Sequence, residues 1–178
     1  MTRPHLSPHV ATSSLLAALL GVALFAAASR PAVADTLAIQ SAAPAAAHTA
    51  EEAKALAERA VAHIRAVGRD QAFADFSRPD GGFVDGDLYV FCQDVSGVVV
   101  AHGGNPKLVG RNMAGGRGPD GRLANVEINQ LGLSQGSGWL EFRWPNPATK
   151  RIELKAAYVM KVDDHTVCGS GYYKGASP

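Results

Sequence analysis

The sequence predicts an α+β fold, in which an antiparallel sheet carries a long helix on one face. Three observations support this. Apolar side chains in residues 50–67 recur at three and four positions, the period of a helix with one buried stripe. After Leu88 the pattern becomes strand-like, with apolar runs bounded by turn-forming Asp, Gly and Pro clusters. The order is a long helix, two strands, a long irregular crossing and three more strands, which is an α+β arrangement.

The chain opens with Arg3 and an apolar run, Leu15 to Ala28, too short for the ~20 residues of a bilayer span. Ala32-Val33-Ala34 then supplies small residues at the spacing signal peptidase needs, so residues 1–34 are expected to be a secretory signal peptide. An uncleaved membrane anchor is the competing reading. Residues 35–48 are Ala-rich and broken by Pro44, and are expected to form a disordered leader before a single domain over 49–178. Thr49 and Glu52 have capping-box spacing, and Ala53, Leu56, Ala60, Ile64 and Val67 form the apolar stripe of the helix that follows. Gly68 breaks it. "RDQAFADF" reads as a second helical piece with Phe73 and Phe76 inward, and "SRPDGGFVDGD" as a turn-rich connector.

The first strand runs from Leu88 to Gln93, turns at Asp94 to Gly97, and returns as Val98 to His102. Residues 103–137 form a crossing rich in Gly, Asn and Pro, with a short helix expected over Val126 to Leu133. A connection this long in a small domain usually serves a function. The last three strands are Trp139 to Trp144, Ile152 to Met160 and Thr166 to Tyr173.

Composition excludes several classes. The formal charge is +1, with Lys and Arg interleaved among Asp and Glu, so nucleic acid is not an expected partner. No later segment is apolar enough to insert in a membrane after signal cleavage. The two cysteines, Cys92 and Cys168, lack the C-x-x-C spacing of redox or haem-attachment motifs. "DGGFVDGD" misses the alternating spacing of a calcium loop, and neither a nucleophile elbow nor a phosphate loop is present. No catalytic residue, metal or cofactor is therefore expected.

"WLEFRW" is the most informative strand. Leu140, Phe142 and Trp144 share a core-like face, while Trp139, Glu141 and Arg143 share the other. Arginine is a planar receptor for a carboxylate and tryptophan an apolar wall, so the second face is a candidate ligand surface. Lys155 and Tyr158 on the next strand would add a charge and a hydroxyl. Being three apart, they point to opposite faces unless a bulge intervenes. The competing reading makes Glu141, Arg143, Glu153 and Lys155 cross-strand charge pairs on a solvated face. His102 either hydrogen-bonds a ligand or orders the loop after it, and Asn105, Arg111 and Asn112 either close over a pocket or form turns.

"DLYVFCQDVSGVVVAHGGNPKLVGRNM", "GSGWLEFRWPNP" and "LKAAYV", in this order and spacing, resemble the single Cache domain, the PAS-like extracytoplasmic sensor module of bacterial chemoreceptors and sensor kinases. The resemblance covers about Glu51 to Tyr173. It implies a five-stranded antiparallel sheet in the order 2-1-5-4-3, a long N-terminal helix on one face and a small-molecule pocket on the other, under the crossing segment.

In that order strands one and five are neighbours, which sets Cys92 opposite Cys168 and implies a disulfide; two buried free thiols are the alternative. Tyr89 and Phe91 would then share a face with Gly169 and Gly171, leaving either a hollow for a ligand or a close backbone approach. Receptor modules of this kind lie between two membrane spans, whereas this sequence stops about five residues after its last strand. The expectation is a secreted, periplasmic domain that binds a small organic ligand, a carboxylate by the chemistry of Arg143 and Lys155, and acts through a partner such as a membrane sensor. Its rivals are an interaction module with a filled face and an enzyme on the same scaffold.

Overall fold

The computed structural model describes residues 48–175. The expected signal peptide and almost all of the leader lie outside the described residues. Helix α1, Ala50–Val67, begins at a complete capping box: Glu52 N–H donates to Thr49 Oγ1 at 3.2 Å, and Thr49 N–H donates to Glu52 Oε2 at 2.8 Å. Such a cap contributes about 1 kcal/mol. The stripe buries Ala53, Leu56, Ala57, Ala60, Val61 and Ile64. Val67, expected to be the end of that stripe, is 44% exposed, because Gly68 at φ +84° ends the helix and turns the chain into α2, Arg69–Phe76.

Among the described residues the sheet has six strands rather than five. β1 is Val84–Asp85, β2 Leu88–Asp94, β3 Val99–His102, β4 Ser137–Pro145, β5 Ile152–Asp163 and β6 Thr166–Tyr173. All neighbours are antiparallel: β2 pairs with β6, β6 with β5 and β5 with β4, while β3 and β1 share the other edge of β2. The additional strand, β1, is only two residues long and sits in the connector, where turn-forming composition conceals it. It folds back on Leu88 and Tyr89 around Gly86, which holds φ +58°.

Cys92 lies directly opposite Cys168, and the two form a disulfide between the adjacent strands β2 and β6. This bond faces the α1 core, where Leu56, Ile64, Phe76 and Phe83 cover Leu88, Val90 and both cysteines. The second core, on the other face, joins Tyr89, Phe91, Phe142, Ala157, Val159 and Tyr173 to helix α3, Ala124–Gln135. Helices therefore cover both faces of the sheet, not one. α3 comes so close at Gly132 that a Cβ there would lie 2.5 Å from Val167 Cγ1. Two amides fix its first turns: Gln93 Nε2 donates to Asn125 O and Asn129 Oδ1, and Asn129 Nδ2 donates to Asp94 O.

α3 is short and leaves the half of this face nearest β3 and the Pro145 end of β4 to the crossing segment. That segment is tied back by Gly110 N–H to Val99 O at 2.8 Å, Val99 N–H to Arg111 O at 3.0 Å and Met113 N–H to Gly97 O at 2.8 Å. A 3₁₀ turn, Pro106–Leu108, sets Leu108 over the sheet.

Candidate functional site

Beneath Leu108 lies a cavity of about 20 Å³, room for about one water molecule. Phe142 and Trp144 of β4, Ile128 of α3, and Tyr89, Phe91 and His102 wall it, with Lys155 also in its lining. Tyr89, His102, Leu108, Asn125 and Trp144 also border a second, wider cleft of about 630 Å³. Their shared walls make the small cavity the inner end of the large one. Arg117, Arg143 and Lys150 border the outer cleft.

Lys155 is the anomaly of this site. β5 places it opposite Phe142 on one side and Tyr173 on the other, so an alternating strand must turn it into the apolar face with Ala157 and Val159. It is 1% exposed, and its Nζ has no hydrogen-bond partner among the described residues. The amine sits 3.5 Å from the centroid of the Tyr89 ring and 4.7 Å from that of Tyr173. Two ring faces attract an ammonium by about 2 kcal/mol when desolvated. Burying an unpaired ion costs several kcal/mol, so desolvation wins. Burial accordingly pushes the Lys155 amine well below its ordinary range, against the opposing pull of Asp87.

His102 supplies a donor of fixed orientation. Its Nδ1 accepts from Asn105 N–H at 2.9 Å, which orders the loop after β3 and leaves the proton of the neutral ring on Nε2. Burial, reinforced by Lys155, pushes its pKa down to about 3. The ring stacks on Trp144 at 6.2 Å and lies 5.1 Å from Tyr89. Tyr173 donates its hydroxyl proton to Pro145 O at 2.8 Å, so in the 3.1 Å contact between the two phenols Tyr89 is the donor. Burial raises the pKa of both, and they are neutral phenols.

The structure thus gathers Tyr89, Phe91, His102 and Lys155 around one cavity. It does not bring Trp139 or Tyr158 there. The β4–β5 register turns Trp139 to the α1 face, where it is 42% exposed and packs on Tyr158 at 5.2 Å. Tyr158 lies beneath Lys54 of α1 and donates to Ser137 Oγ at 3.0 Å. Arg143 is exposed and reaches only the rim of the outer cleft, while Glu141 beside it pairs with Lys174. The Trp139-Glu141-Arg143 face is therefore the solvated one, and the face that reads as closed core, Phe142 and Trp144, is the one that lines the cavity. No hollow is open at Gly169 either, because the Phe91 ring fills it: a Cβ there would lie 2.8 Å from Phe91 Cζ.

Phe142, Trp144, Leu108, Ile128 and Gln93 also line the cavity and were not among the expected site residues. One signal pointed to them. In the alternating run Lys155-Ala157-Val159, a lysine occupies an apolar face, and whatever lies across from it must either neutralise it or form a pocket.

A family model described as Single Cache domain 2 matches residues 36–173. The methyl-accepting chemotaxis protein McpP of Pseudomonas putida is 30% identical over 90 residues, half of this chain but 16% of that receptor's length. A methyl-accepting chemotaxis protein from Vibrio parahaemolyticus shares the fold with a TM-score of 0.62 at 21% identity, covering 70% of this chain and 88% of its own. A Cache chemosensory domain whose structure is described as the basis for carboxylic acid recognition gives 0.59 at 25% identity, covering 70% and 92%. The periplasmic sensor domain of a chemotaxis protein gives 0.54 at 28%, covering 70% and 89%. These relatives are chemotaxis sensor domains rather than enzymes, and no described helix of this chain is long and apolar enough to cross a membrane. By sequence over nearly all of the folded region, and by fold, the chain belongs to the single Cache domain family.

Proposed function

We propose that this domain binds a small carboxylate at the inner end of the cleft, its charged group toward the small cavity at Lys155 and its body in the wider cleft, holds it without chemical change, and passes its occupancy to a receptor-type output. The observation that carries the reading is the buried Lys155 amine with no hydrogen-bond partner among the described residues, set in an aromatic cavity that opens to a wide cleft. A carboxylate supplies the missing acceptor, and His102 Nε2–H donates to its second oxygen. The remaining walls are apolar and suit a short hydrocarbon tail. The relative that recognises carboxylic acids supports the ligand class, and the chemotaxis relatives support the output.

We place the domain outside the cytoplasm, in the periplasm, on the signal-like residues 1–34 and the periplasmic sensor relative. The mass of the exported protein, expected to begin at Asp35, checks this. Cations at the outer cleft favour the arrival of anions.

Thermal-shift titration with acetate, propionate and lactate, with methylamine and ethanol as controls, tests the ligand class. At 100 times its dissociation constant a true ligand stabilises the native state by about 2.7 kcal/mol. The expected result is a dose-dependent rise for a carboxylate that disappears in Lys155→Met and persists in Arg143→Ala. A shift retained by Lys155→Met would move the site away from the cavity, and no shift with any acid would favour an interaction module whose face is filled.

A further inference from the structure

The groups that face Lys155 come from every element around it, and among the described residues no carboxylate lies within hydrogen-bond distance of the amine, Asp87 acting on it only from farther off. Tyr89 of β2 and Tyr173 of β6 are neutral phenols whose hydroxyl protons go to Tyr173 and Pro145. His102 of β3 is a neutral ring with its Nδ1 occupied by Asn105 N–H. Phe142 and Trp144 of β4 and Ile128 of α3 carry no ionisable group. The two nearby carboxylates, Asp87 before β2 and Glu153 on β5, both accept from Asn146 Nδ2, at 3.0 and 2.8 Å. Asn146 is itself 2% exposed, so it holds both acids in place from within the fold. An unpaired amine in such a site stays neutral, because a group in low dielectric gives up its charge before it is buried alone.

We propose that ligand binding here is proton-coupled: the empty cavity holds Lys155 as a neutral amine, and it takes up a carboxylate and one proton together. No covalent bond changes. A carboxylate and a solvent proton join Lys–NH2 to give Lys–NH3⁺ paired with the anion. The species recognised is, thermodynamically, the undissociated acid, and the site responds to acidity as well as to concentration. The inference rests on the carboxylate reading above and adds to it what happens to the proton. The lowered pKa of the buried amine has the same sense.

Isothermal titration of the oxidised protein with acetate at pH 7, in buffers of small and large ionisation enthalpy, reads the proton directly. The expected slope is about one proton taken up per acetate bound, with affinity falling about tenfold per pH unit between pH 7 and 9. Acetate is fully ionised over that range, and His102, with its pKa near 3, does not titrate there. In Lys155→Arg, where the guanidinium is always charged, any residual binding should show no uptake and a flat pH profile. Wild-type binding with zero uptake and a flat profile would overturn the proton coupling and leave the carboxylate reading standing. No acetate binding from pH 6 to 9 would overturn both.

Discussion

Replacing Lys155 with methionine is expected to stabilise the domain while abolishing carboxylate binding. Methionine matches the length of the lysine stem and needs no acceptor, so the substitution removes a buried polar group without opening a large cavity. An unsatisfied buried donor costs about 1–3 kcal/mol, and below pH 10.5 the proton given up on folding adds to that cost, so the variant should gain at least that much at pH 7, several degrees in Tm. The gain should depend on pH. The folded amine titrates well below its value near 10.5 in the unfolded chain. Between those two values the unfolded chain binds a proton that the native state does not, so native stability rises with pH, by at most about 1.4 kcal/mol per unit.

The advantage of the variant is therefore largest near neutrality and fades as pH approaches 10.5. Above about pH 10 an opposite term acts in both proteins and lowers their stability, because Tyr89 and Tyr173 must stay protonated in the native state while the unfolded phenols ionise. Below about pH 6.5 both lose stability, since the unfolded His102 gains a proton that the native ring refuses until about pH 3. Urea unfolding of the two proteins at pH 7, 8, 9 and 10 measures the difference. A destabilised variant, or a constant difference across that range, would show that native Lys155 is charged and paired.

Removing the disulfide is expected to have the largest effect on stability. Cys92 and Cys168 are 76 residues apart, and closing a loop of that length removes about 4 kcal/mol of chain entropy from the unfolded state. The bond also joins β2 and β6, the strands that deliver Tyr89 and Tyr173 to the cavity. The double variant Cys92→Ala, Cys168→Ala should lose about 4 kcal/mol, on the order of 10 °C in Tm, and bind carboxylates more weakly. Both residues are essentially buried, at 1% and 0% exposure, so reductant should reach the native bond only through unfolding. A loss below about 1 kcal/mol would mean that the unfolded chain keeps these strands together without the bond.

Much of the architecture was legible because it is written in local patterns. Thr49 and Glu52 mark the start of α1 through a contact across three residues, and the stripe from Ala53 to Ile64 follows from the helical period alone. The five main strands appear as apolar or alternating runs between turn clusters, and the family resemblance implied that Cys92 faces Cys168. β1 escaped because two residues have no period. Val67 was misplaced because a helix-end glycine redirects the chain just past it.

The candidate site was legible only in part. Alternation correctly separates Lys155 from Tyr158 and Trp144 from Arg143, but it does not say which face of an edge strand is covered. Arg143 and Trp139 offer the chemistry of a binding face and lie on the solvated side, while the lysine that offers a lone buried amine lies among aromatic rings. Sequence by itself determined the elements, their order and the pairs of side chains that share a face, because these depend on neighbours within a few residues. Only the tertiary structure decided which face holds the cavity, that Phe91 closes the hollow over Gly169, and that the Lys155 amine has no hydrogen-bond partner among the described residues. Those outcomes depend on strand register and on where α3 ends and the crossing segment begins, contacts between residues far apart in the chain.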